Sequence, residues 1–63
     1  MASEKRFAAV KAMLESAAYE LARVHGSHHI FTKEGEQPVS IPVHRGKAKP
    51  YYVRQVEEIC KSD

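Results

Sequence analysis

Three stretches of period-two sequence, joined by links too short for a crossover, limit what this chain can fold into. Tyr19, Leu21 and Arg23 alternate with Glu20, Ala22 and Val24, so residues 19–25 read as a strand. Residues 28–33 read as a second strand. Val39, Ile41 and Val43 alternate with Ser40, Pro42 and His44, and residues 38–44 read as a third. The links are the turn signals Gly26-Ser27 and Glu34-Gly35-Glu36. Strands connected that tightly pair antiparallel, as a meander.

Helical periodicity flanks the strands. Phe7, Val10, Leu14 and Ala17 recur at spacings of three, four and three, and Ala8, Ala9, Ala12 and Met13 favour helix. Ser3 suits a cap and Glu4 the N-terminal dipole, which places a first helix over residues 4–17. Pro50 fits a helical first turn, and Tyr52, Val53, Val56, Ile59 and Cys60 follow at helical spacing, giving a second helix over residues 50–61. The expected fold is α+β, one small domain over residues 1–63, in the order helix, three strands, helix. Both helices pack on one face of a three-stranded antiparallel sheet and leave the other face open. Between strand and helix, Arg45-Gly46-Lys47-Ala48-Lys49 reads as a flexible basic loop. Pro42 lacks the amide of a ladder residue and points to an edge or an irregular strand end.

A chain of 63 residues buries only about 60% of its unfolded surface, so any substrate must be met on an open surface. The apolar fraction of 43% and charged fraction of 29% fit a globular domain rather than a disordered one. No apolar run approaches the ~18 residues of a membrane span, and no apolar stretch after the N-terminus resembles a secretory signal. The lone Cys60 forbids an internal disulfide, fits a reducing cytosol, and reads as a small hydrophobe on an apolar stripe. The expected location is cytoplasmic.

The net charge of +2 hides an uneven distribution. From Gln37 to Val56 there is no acid, while Arg45, Lys47, Lys49, Arg54 and His44 all fall there. A one-signed stretch of this kind suits a polyanion. Three of the four histidines, His25, His28 and His29, lie within five residues around Gly26. Side chains alternate faces along a strand. Phe31 marks the core face of the second strand, so His29 and Lys33 point inward and His28, Ile30 and Thr32 outward. On the third strand His44 points outward with Ser40, which puts His28 and His44 on one side. A bulge near Gly26 would exchange His28 and His29. His25 is left without an expected role.

Imidazole titrates in the range that proton transfer to or from a ribose hydroxyl requires. RNA carries its own nucleophile in the 2′-hydroxyl, so one placed base with nearby cations can cleave it. In this reading His28 is the general base or acid, Ser27 orients the scissile phosphate, and Arg45, Lys47 and Lys49 hold phosphates. Four imidazoles are enough in number for zinc. Adjacent strand histidines diverge, however, and no carboxylate or cysteine sits at ligand spacing, so no metal and no cofactor are expected. Tyr52 reads as core, whereas Tyr51 is free to stack on a base.

The run Arg23-Val24-His25-Gly26-Ser27-His28-His29-Ile30-Phe31, followed by Val39-Ser40-Ile41-Pro42-Val43-His44, then Gly46-Lys47-Ala48-Lys49-Pro50 and Val53-Arg54, resembles the HicA (YcfA-like) toxin family over about residues 5–60. The resemblance implies a fold like the double-stranded RNA-binding domain. It implies a ribosome-independent mRNA interferase of a type II toxin–antitoxin pair, with a HicB antitoxin covering its active face. The free chain is expected to be a monomer. It places the essential histidine of the Gly-Ser-His motif at His28, with His29 as the alternative. The family usually carries glycine where this chain has Ala18. Alanine in a left-handed helix terminus would cost roughly 1 kcal/mol.

Overall fold

The computed structural model describes residues 3–61. Seven elements follow one another: β1 (Lys5–Arg6), α1 (Phe7–Ser16), β2 (Glu20–His25), β3 (His28–Thr32), β4 (Val39–His44), β5 (Lys47–Ala48) and α2 (Pro50–Lys61). The class is α+β, with two helices and an antiparallel sheet. The sheet has five strands in the order β1-β5-β4-β3-β2, rather than the three expected.

The two additional strands come from a turn that composition disguised as a loop. Arg45 and Gly46 both take positive φ, 53° and 75°, which is the backbone of a type I′ hairpin turn. The chain therefore doubles back, and β5 pairs with β4 through His44↔Lys47 and Val43↔Ala48. Residues 45–49 are thus a hairpin and not a flexible loop. β1 then adds to β5 through Lys5↔Ala48 and Arg6↔Lys47. That pairing holds Lys5 and Arg6 extended, so α1 begins at Phe7 instead of residue 4. Arg6 occupies the cap position without a side-chain cap bond, and Ser3 plays no part in it. The Phe7 amide donates to the Gly46 carbonyl at 2.8 Å, so backbone rather than a capping side chain satisfies one of the helix's orphan donors.

The other end of α1 closes on Ala18. Its φ is 71°; the Ala18 amide donates to Glu15 O at 3.0 Å and the Tyr19 amide to Leu14 O at 2.9 Å. These are the two bonds of a Schellman motif, with alanine where glycine is preferred. Tyr19 and Leu14, which the motif brings together, are both buried.

One core joins the layers. Val10, Leu14 and Ala17 from α1 and its end, Val53 and Val56 from α2, and Phe31, Val39, Ile41 and Ala48 from the sheet form a single buried cluster with Tyr19. Both helices thus cover the same face of the sheet. Tyr52, Ile59 and Cys60 pack against the cluster, and the Cys60 thiol donates to Met13 O at 3.2 Å across the helix pair. Lys33, on the core parity, sets its ammonium 5.5 Å from the Tyr19 ring centroid.

Pro42 sits inside the sheet. The Val43 amide donates to Ser27 O on the β3 side. By alternation the nitrogen of Pro42 faces the β5 side, where pairing stops at Ala48. The missing donor therefore leaves no ladder bond unmade.

Candidate active site on the open sheet face

The face away from the helices is organised by register. Residues directly opposite in an antiparallel pair share a face. His25 lies opposite His28, and His28 opposite Pro42. Arg23 lies opposite Ile30, and Ile30 opposite Ser40. His44 lies opposite Lys47, and Lys47 opposite Arg6. The open face therefore carries His25, His28 and His44 with Arg6, Arg23 and Lys47. All six are exposed.

The turn that presents His28 is built for the purpose by its two residues. Gly26 adopts φ 59° while Ser27 does not take a positive φ, the arrangement of a two-residue II′ turn with glycine first. The Ser27 carbonyl accepts from the Val43 amide at 2.8 Å and lies 3.1 Å from His29 Nδ1. Nδ1 is the donor in that contact, which leaves Nε2 of His29 without its proton in the neutral ring. His29 is half-buried, with its ring centroid 4.3 Å from that of Phe7. It braces the turn against the helix layer, as strand parity predicts. Its neighbour His28 is exposed on the open face, with Nδ1 3.5 Å from the Ser40 hydroxyl, a long contact.

The three cations expected to hold phosphate all fall on or beside the β4–β5 hairpin. Arg45 is exposed at its tip, Lys47 lies in β5, and Lys49 follows Ala48 on the parity of Lys47. Lys47 Nζ lies 3.9 Å from Glu4 Oε1, both about half exposed; such a pair is weak and yields readily to a stronger anion. Ser27 falls on the parity of His29 rather than that of His28, and its carbonyl serves the turn. Tyr51 is 72% exposed at the start of α2, edge-on to Tyr52.

Three members of the face were not foreseen: His25, Arg23 and Arg6. The cause for the first two is a bulge at Ala22, where the register passes from Leu21↔Phe31 to Arg23↔Ile30. It lies in β2, not near Gly26, so it leaves His28 and His29 on their expected faces and turns Arg23 and His25 outward. The sequence did hold a signal. Leu21 and Val24 are apolar and three apart, which a regular strand cannot place on one side. Arg6 was hidden because it was read as helical.

Among the described residues, no group of three His, Cys, Asp or Glu side chains is placed to hold a metal ion. No helix among them is long and apolar enough to cross a membrane. Two grooves lie elsewhere, one beside Gly35, Pro38 and Ile59 and one on α2 at Tyr51 and Glu58; His25, His28 and His44 are exposed on the sheet face.

A sequence model of the HicA toxin of bacterial toxin–antitoxin systems matches residues 7–61, from the first residue of α1 to the last of α2. No curated protein and no solved structure matches the chain. The chain belongs to the HicA toxin family.

Proposed function

We propose that this HicA family toxin is a histidine-dependent, metal-independent mRNA endoribonuclease of the cytoplasm. The observation that carries the reading is the exposed His28 imidazole on a sheet face shared with Arg6, Arg23 and Lys47. His28 takes the proton of a ribose 2′-hydroxyl as the 2′-oxygen bonds to the adjacent phosphorus and the bond from phosphorus to the 5′-oxygen breaks. Arg45, Lys47 and Lys49 hold the RNA backbone on one side of the site and Arg23 on the other, where they offset the negative charge of the transition state. His29 is the alternative imidazole, but its half-buried ring is engaged by the turn carbonyl and Phe7. Ser27 is assigned to the turn.

As the toxin of a toxin–antitoxin pair, the chain has an antitoxin partner. A HicB-like antitoxin that occludes His28 has an available edge in β2, the edge strand beside β3, where Val24 is 50% exposed.

Induced expression tests the reading: growth arrest is expected from the natural sequence and not from His28→Ala. Purified protein should shorten RNA in the presence of a chelator. RNA that is bound but never shortened, by protein of normal melting temperature, would replace the enzyme with a binding module on the same scaffold. Toxicity that survives His28→Ala and disappears in His29→Ala would move the chemistry to the helix side.

A further inference from the structure

The geometry points to His25 as a second catalytic imidazole, the general acid that completes the reaction begun by His28. The inference rests on the proposed ribonuclease reading. Its basis is the register His25↔His28 at the mouth of the Gly26-Ser27 turn. Residues directly opposite have Cβ atoms about 5 Å apart and side chains on one face. Both imidazoles are exposed. A phosphodiester laid over the turn therefore has one imidazole-bearing strand on each side of it.

Cleavage by an internal 2′-oxygen needs two proton transfers. As the 2′-oxygen forms its bond to phosphorus, its proton passes to neutral His28. As the bond from phosphorus to the 5′-oxygen breaks, protonated His25 gives its proton to that oxygen. The products are a 2′,3′-cyclic phosphate and a 5′-hydroxyl. His28 is left protonated and His25 neutral, and exchange with water restores both. No oxidant, metal or further reactant enters the balance. A single imidazole would have to leave the expulsion of the 5′-alkoxide to water.

The surroundings suit the pair. On its own strand His25 shares the face with Arg23, and across the sheet lie His28, Pro42 and Ser40, then His44 and Lys47, with Arg6 beyond. Among the described residues, acids reach this face only at its margins, as Glu20 opposite Thr32 and Glu4 beside Lys47. The helices pack on the other face, and β2 is the edge strand on the His25 side of the sheet. Among the described residues, no carboxylate is therefore positioned to do the acid's work in place of His25.

The test compares the natural chain, His25→Ala, His25→Gln and His28→Ala on two RNA substrates, one ordinary and one with sulfur replacing the bridging 5′-oxygen. Thiolate leaves without a proton, so the second substrate needs no general acid. On ordinary RNA, His25→Ala and His25→Gln should lower kcat by on the order of 100- to 1,000-fold, with KM changed less than about threefold. The pH profile should lose one of its two limbs. On the sulfur substrate both His25 variants should recover most of the natural rate, and His28→Ala should not. Melting temperatures control for folding, and the exposed site tolerates glutamine. Full activity of both His25 variants on ordinary RNA, or a loss the sulfur substrate fails to repair, overturns the inference while the ribonuclease reading stands. A natural chain that cleaves neither substrate overturns both.

Discussion

Replacing Ala18 with glycine should make this protein more stable, and the size of the gain follows from two opposed terms. Ala18 holds φ 71° as the left-handed residue that ends α1. A left-handed backbone costs an L-residue with a Cβ about 1–2 kcal/mol. Against that, glycine enlarges the unfolded ensemble, a loss of about 0.4–1 kcal/mol. Ala18 is exposed, so deleting its methyl group sacrifices little packing. The net expectation is a gain of about 0.5–1 kcal/mol, which raises the melting temperature of a domain this small by about 3–6 °C. Thermal unfolding followed by far-ultraviolet circular dichroism measures it. Ala18→Asn should fall between alanine and glycine, and Ala18→Val should melt below the natural chain, because a β-branched residue is poorly tolerated at positive φ. RNA cleavage should not change: Glu20 to His25 alone spans ~17 Å of strand. A glycine variant that melts at or below the natural temperature would refute the reasoning, since it would mean that residue 18 does not carry left-handed strain.

His28→Ala and His29→Ala should separate chemistry from stability. Truncating His29 removes its ring contact with Phe7, worth about 0.5–1.5 kcal/mol, and its bond to the Ser27 carbonyl. It should therefore lower the melting temperature by several degrees, whereas His28→Ala should leave it within error and abolish cleavage. Arg45→Asn should stabilise the hairpin by a few tenths to about 1 kcal/mol, because asparagine tolerates the left-handed first position of a I′ turn. The same variant should bind RNA more weakly and flatten the salt dependence of binding by about one unit of log–log slope; unchanged RNA affinity would remove Arg45 from the interface. A deoxynucleotide at the cleaved position should block the reaction, and the products of ordinary RNA should carry cyclic phosphate ends; 3′-hydroxyl ends would indicate water as the nucleophile. Phe31→Ala, at a fully buried position, should cost about 3–5 kcal/mol, comparable with the whole stability of a chain this short, and leave it largely unfolded at 37 °C.

The parts of this fold that were legible in the sequence are those whose signal is periodic. α2 lies where its apolar spacing placed it, and the three long strands are each found within a residue or so of their alternating runs. The end of α1 followed from where its apolar spacing stops, whereas the left-handed residue at Ala18 was anticipated only through the family resemblance, which puts glycine there. What stayed hidden depends on pairing. Lys5-Arg6 and Lys47-Ala48 are too short to show a period; Lys47-Ala48 becomes a strand because β4 lies beside it, and Lys5-Arg6 because Lys47-Ala48 does. The Arg45-Gly46 turn was masked by arginine, which carries charge but no turn preference. The bulge at Ala22 moved Arg23 and His25 to the open face, so a single extra residue decided how many groups that face contains. His28 escaped the error because it lies beyond the bulge, on a strand whose inward side is fixed by Phe31.

The composition of the open face narrows what it can engage. Its apolar content is Ile30 and Pro42, both already partly covered, so a second protein layer docked there by burial alone would gain little. Among the described residues it carries three imidazoles and three cations, with acids only at the margins. Desolvating that set against an apolar partner would cost more than the contact returns. A polyanion instead keeps every cation paired and partly hydrated, and releases bound counterions as it lands. The same electrostatics constrain an inhibitor. A partner that covers His28 must bring carboxylates to Arg6, Arg23 and Lys47, or else lie along the edge of β2 and screen the face by its bulk. An antitoxin complex whose affinity falls steeply between low and physiological salt supports the first arrangement. One that ignores salt yet fails when proline interrupts the outer edge of β2 supports the second.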